Sequence, residues 1–165
     1  MNKGFQFLLC AVLTLTLGCA QSSRPSNTLE IWHWMTDRQE AFEKLAKEYE
    51  KQTGIKVTFE LFSPSDAYSQ KVVAAAQAHV LPDVYGILDK KSIIASFIKA
   101  GYVADLTEAY QADDGAWEKS LFDKALASNR FEEGNIDGVK PGIYGVPLDV
   151  TNMQMLYNKK LLQKA

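Results

Sequence analysis

Cysteine is almost absent from this chain of 165 residues: Cys10 and Cys19 are the only two, and none follows residue 19. A disulfide framework and a cysteine-held metal cluster are therefore excluded beyond that point, and stability has to come from a hydrophobic core. Histidine is equally scarce. His33 stands in an apolar segment and His79 at the end of a helical one, with no cysteine near either, so no metal-ligand spacing arises. Excess charge is missing too, with 18 basic residues against 20 acidic. That balance offers no basic stripe for nucleic acid and no polybasic patch for a membrane surface. The motifs Gly-x-Ser-x-Gly, His-Glu-x-x-His and Gly-x-x-x-x-Gly-Lys do not occur, and nothing in the sequence brings two carboxylates together as glycoside hydrolysis requires. The expectation is a protein that is not an enzyme and takes no cofactor or metal.

What is present begins at the front end. One Lys and an apolar run from Phe5 to Leu17 lead through Gly18-Cys19-Ala20 into the polar stretch Gln21 to Asn27. The run has the length of a signal-peptide core and falls short of the roughly 18 residues a membrane span needs. Residues 1–18 are thus predicted to be a signal peptide and residues 19–28 a linker. A Cys directly after Leu17-Gly18 resembles the lipobox of bacterial lipoproteins, although Thr16 stands where lipoboxes carry a branched aliphatic residue. The resemblance implies lipid attachment at Cys19 and membrane contact through that lipid. The alternative is plain secretion, with Gly18 and Ala20 as the small residues of an ordinary cleavage site. Either way the protein is expected outside the cytoplasmic membrane.

Beyond the linker, Thr28 to Trp34 reads as a short strand, almost wholly apolar and rich in β-formers. Thr36 or Asp37 is expected to cap a helix, with Gln39 or Glu40 completing a capping box. From Arg38 to Gln52, Ala41, Phe42, Leu45, Ala46 and Tyr49 recur at helical spacing, and Gly54 supplies a left-handed stop. Ile55 to Phe62 alternates apolar and polar residues as the next strand. A second unit follows, with a helix from Ser65 to His79 and a strand from Val84 to Leu88. Helices are then expected from Lys90 to Ala100, ending at Gly101, and from Ala116 to Ala127. Turn signals crowd residues 129–145 and precede an extended segment, Ile143 to Leu148, and another apolar strand from Met153 to Tyr157. Strand and helix alternate, which predicts an α/β layer structure with a largely parallel sheet. Residues 158–165 read as a helix just begun, so the chain is expected to be the front part of something longer.

Four stretches, in order, resemble the family 1 extracellular solute-binding proteins, receptors of sugar-type ABC importers. They are Leu29 to Trp34, Phe42 to Phe59 with its Tyr-Glu-Lys-Gln-Thr-Gly-Ile-Lys-Val core, Leu81-Pro82-Asp83-Val84, and Tyr144 to Asp149 running on to Leu156-Tyr157-Asn158-Lys159. The resemblance implies a periplasmic-binding-protein-like (type II) lobe over residues 29–150. Residues 151–165 would be the hinge crossing and the start of a second, largely missing lobe. It further implies capture of a sugar or oligosaccharide and delivery to the transmembrane subunits of a permease. The alternatives are the same fold holding a polyamine, metal or oxyanion, and an exported enzyme or interaction lipoprotein.

In open parallel sheets ligands sit beyond the C-terminal ends of the strands. There Trp32, His33 and Trp34 close the first strand. A flat indole stacks on the C–H face of a pyranose, and Trp34, nearer the end, is the expected platform; the alternative is that both indoles are core. His33 is a candidate for a sugar hydroxyl, and Asp37 lines the cleft or caps the helix. Asp89, directly after the third strand, is where the family often places a solute-contacting carboxylate, a helix cap being the other possibility. Asp149 and Thr151 fall at the hinge edge. Asp83 is expected to fix the turn into its strand.

Overall fold

The computed structural model describes residues 27–88, 91–149 and 156–163. The first strand, β1 (Thr28–His33), ends in its two most buried residues, Trp32 and His33. After a 3-10 turn at Thr36–Arg38, helix α1 (Gln39–Thr53) leads to β2 (Lys56–Leu61). β1 and β2 pair in parallel from Thr28 opposite Lys56 to His33 opposite Leu61, so this is a β-α-β unit. Gly54 stops α1 as expected, with φ of +72° and its N–H donating to the Glu50 carbonyl at 2.8 Å. Strand β3 (Val84–Tyr85) completes a sheet ordered β2-β1-β3. Just before β3, Asp83 accepts a 2.8 Å hydrogen bond from the backbone N–H of Glu30, tying its turn to β1.

The chain divides into two compact units, the first reaching Leu61 and adding Pro82–Val84, the second made of Phe62–Leu81 and Tyr85 onward. In the first, the apolar stripe of α1 is only partly covered: Phe42 and Ala46 are half-buried while Leu45 is 65% exposed.

In the second unit, α2 (Ser65–Gln77) buries Tyr68, Val72, Ala75 and Ala76, the i, i+4, i+7, i+8 pattern of a helix face. Helix α3 (Lys91–Lys99) buries Ala95 and Phe97 and stops before Gly101, whose φ is +77°. Helix α4 (Thr107–Lys119) is interrupted at Asp113, Asp114 and Gly115, all left-handed, and α5 (Asp123–Ala127) follows a break. A continuous helix from Ala116 to Ala127 is therefore not formed, and the helical turns from Thr107 went unread because the left-handed residues scramble the apolar period. The strand expected to reach Leu88 is confined to Val84–Tyr85, and the helix expected to run to His79 stops at Gln77, with His79 itself at φ +56°.

Two short strands, β4 (Arg130–Phe131) and β5 (Gly142–Ile143), pair antiparallel. They carry the core of this unit. Phe131, Ala95, Val139 and Tyr144 form one buried cluster; Tyr110, Leu126 and Ile143 form another. Burying a side chain such as Phe131 contributes roughly 1.5–3 kcal/mol relative to exposure. Thr107 fastens β5 from the side: its hydroxyl accepts the Ile143 N–H at 3.0 Å and donates to Asp105. Those Thr107 bonds hold the Asp105 carboxyl below its ordinary pKa. Asn158 caps the short α6 (Lys159–Leu162) through its side-chain oxygen. The strand expected over Met153 to Tyr157 lies outside the described residues except for Leu156 and Tyr157, which are irregular and exposed.

Candidate functional site

The C-terminal end of β1 carries three aromatic rings in a row, and the alternation of the strand puts Trp32 and His33 on opposite faces, with Trp34 one residue beyond it. Trp32 is 7% exposed, and its indole N–H donates to Glu30 Oε1 at 2.7 Å, the i−2 neighbour on the same face. It is a core residue. Trp34, one residue past the strand, is half-buried, so part of its ring reaches the surface at the strand end.

His33 is 2% exposed, so its ring lies in the interior and not at the surface where it was expected to reach a sugar hydroxyl. Its ring stands edge-on to Phe42 at 5.0 Å and to Phe59 at 5.7 Å, and those two rings stack on each other at 5.1 Å. Both ring nitrogens are used: Nδ1 accepts the Met35 backbone N–H at 3.2 Å and Nε2 meets Gln39 Oε1 at 2.7 Å. Gln39 Nε2 in turn donates to Glu43 Oε1 at 2.8 Å. Sequence reasoning read Gln39 only as a capping-box partner and gave Glu43 no role. Their i, i+4 spacing on α1 was the available signal.

The expected helix cap is not made. Neither Met35 before the 3-10 turn nor Arg38 before α1 offers a side-chain cap, because Thr36 and Asp37 lie inside the turn rather than at a cap position, and the Gln39 side chain is bonded to His33. Asp37 is exposed, 3.7 Å from Arg38 Nε. Asp149 is exposed in the second unit; Asp89 and Thr151 lie outside the described residues, as do Cys19 and the whole of residues 1–26.

The segment 144–149 is held from its first residues. The Tyr110 hydroxyl donates to the Gly145 carbonyl at 3.1 Å, and the Tyr144 N–H donates to the Asn129 carbonyl at 2.9 Å. A Cβ at Gly145 would lie 2.5 Å from Asn129 Oδ1, so any larger residue there requires the Asn129 side chain to shift. Tyr110 is fully buried, its ring flat against Trp117 at 4.0 Å. The second unit also has two open clefts. One of about 390 Å³ is bordered by Gln111, Asp114, Glu118 and Lys119; the other, of about 300 Å³, by Thr107, Gln111, Glu118 and Arg130. Asp149, the described site residue of this unit, borders neither cleft. Among the described residues no group of three or more His, Cys, Asp or Glu side chains is placed to hold a metal, and no helix is long and apolar enough to cross a membrane.

Residues 44–165 match a sequence family described as bacterial extracellular solute-binding protein. No curated protein matches the chain. Among solved structures, it is similar to an ABC transporter solute-binding protein from Thermotoga lettingae TMO bound with α-D-tagatose. The identity is 24% and the TM-score 0.54, over 65% of this chain and 27% of that one. It is also similar to a structure described in connection with xylan utilization by the thermophilic bacterium Caldanaerobius polysaccharolyticus. There the identity is 20% and the TM-score 0.54, over 72% of this chain and 28% of that one. At these identities the likeness is one of fold. The chain spans a little over a quarter of the length of either structure.

Proposed function

The chain belongs to the family of bacterial extracellular solute-binding proteins, and from that premise we propose that it is part of the solute-capturing component of an ABC importer for a sugar or oligosaccharide. The family match over residues 44–165 carries this reading. Family membership implies an exported protein, and such proteins generally act without catalysis. The half-exposed Trp34 at the C-terminal end of a parallel strand supports a carbohydrate solute, since an indole face stacks on sugar C–H groups. The fold neighbours, one tagatose-bound and one tied to xylan utilization, point the same way.

In this reading Trp34 stacks on the sugar and Asp37 accepts a hydroxyl hydrogen bond. Asp89, Asp149 and Thr151 are further proposed contacts, each open to substitution. The transmembrane subunits of a permease take the solute onward, and a lipid on Cys19 keeps the receptor at the membrane facing the periplasm or the cell exterior. Mass spectrometry of the exported protein tests the anchor: a diacylglycerol adduct on Cys19 supports it, and a free N-terminus at Gln21 refutes it. Titration of the chain with D-tagatose and xylo-oligosaccharides, followed by tryptophan emission, tests the solute class. A saturable change lost in Trp34→Ala supports the reading, and a flat response to every sugar argues against it.

A further inference from the structure

We infer that His33 is a positioning residue: buried and out of reach of solute, it fixes the backbone of Trp34 by acting as the hydrogen-bond acceptor for the next peptide. The inference rests on the reading of Trp34 as the stacking platform. The Met35 N–H belongs to the peptide that joins Trp34 to Met35, so the bond it makes to His33 Nδ1 restrains the Trp34 ψ angle. On its other side Met35 accepts from the Arg38 N–H at 3.2 Å, which starts the 3-10 turn. Trp34 is thus set between a strand residue, His33, and a turn residue whose N–H and carbonyl are both engaged.

The imidazole can do this only as one tautomer, and two independent constraints select it. The Met35 N–H needs an unprotonated Nδ1, which leaves the ring proton on Nε2. From the opposite side, the Gln39 amide NH2 donates to Glu43 Oε1, which turns Gln39 Oε1 toward His33 and requires an N–H there. Both constraints give the Nε2–H form. Phe42 and Phe59 wall the ring in, so it cannot swing away to another partner. Leucine at position 33 would keep much of the buried bulk and lose the acceptor. Asparagine would restore an acceptor oxygen close to where Nδ1 stands.

The test is ¹⁵N relaxation of the Trp34 and Met35 backbone amides in the full chain, without solute. The native order parameters are expected near the rigid value of about 0.85, falling below about 0.6 in His33→Leu and recovering in His33→Asn. Equal order in native and His33→Leu protein would overturn the inference. So would equal loss in both variants, which would make His33 a packing residue. If His33→Leu fails to fold, a long-range ¹H–¹⁵N spectrum of the unsubstituted protein decides: the Nε2–H tautomer sustains the inference, and an Nδ1–H tautomer refutes it. None of these readouts involves a sugar, so a failed titration would remove the stacking role of Trp34 and leave the clamp standing.

Discussion

The two units of the chain reach order by different means. The first has the longest ladder, six residues of β1 against six of β2, yet among its described residues the buried rings are Trp32 and His33. The second has β4 and β5, of only two residues each, and the most deeply buried side chains, Tyr68, Tyr110 and Phe131. Its backbone is pinned by tyrosine hydroxyls. Tyr68 both donates to the Gly86 carbonyl and accepts its N–H at 2.9 Å; Tyr85 donates to the Tyr102 carbonyl, Tyr110 to Gly145 and Tyr144 to Lys140. Extended backbone outside a ladder still has to satisfy its polar groups, and a phenol does so while adding apolar area. The lesson is that strand length is a poor guide to how firmly a segment is held.

That contrast can be broken at its strongest point first. Tyr110→Ala removes a fully buried ring, its stack on Trp117 and the Gly145 bond, and is expected to cost roughly 3–5 kcal/mol by chemical denaturation. A loss under 1 kcal/mol would mean that the hydroxyl and ring are incidental. Tyr68→Phe keeps the ring and leaves both polar groups of Gly86 without their partner, an expected loss of about 1–3 kcal/mol.

The same hydroxyls give the second unit an alkaline limit. Burial pushes the Tyr85 pKa up to about 12 and raises that of Tyr68 further, while an unfolded tyrosine ionises near 10. A folded pKa above the unfolded one means that the contribution is intact below pH 10 and is lost as pH rises toward 12. Thermal unfolding at stepped pH should show Tm level up to about pH 10 and falling above it, more steeply than in Tyr85→Phe. The smallest effect sharpens the other side of the comparison. Asp37→Ala is expected to stay within about 0.5 kcal/mol, because Asp37 caps no helix; a working cap would cost about 1 kcal/mol.

Much of the first unit was legible in the sequence because its signals are local. The 3.6-residue period of α1, the glycine stop at Gly54 and the alternation of β2 all act within a few residues. The cap at Thr36 or Asp37 was misread because both residues fall inside the 3-10 turn before α1, which leaves Met35 and Arg38 at the two cap positions. The contact of His33 with Gln39 joins strand to helix with no local signal, so His33 read as a solute candidate although it is buried. In the second unit α2 was legible from its period. The helical turns beginning at Thr107 were not, since three left-handed residues interrupt them, and the tyrosine bonds join residues 4 to 35 positions apart with no spacing rule. The Tyr144 to Asp149 motif was legible as a family feature, but the reason for its glycine, the Asn129 side chain against Gly145, was not.

The most direct test of the sugar-receptor reading is tryptophan emission of the native chain and of Trp34→Ala during titration with D-tagatose and xylo-oligosaccharides. Stacking on one indole with a few hydrogen bonds supplies about −4 kcal/mol, which corresponds to a Kd of about 1 mM. A saturable change of that order in the native chain, absent in Trp34→Ala, is the predicted result. A native chain whose emission ignores every sugar, or a Trp34→Ala variant that responds as the native chain does, would contradict it.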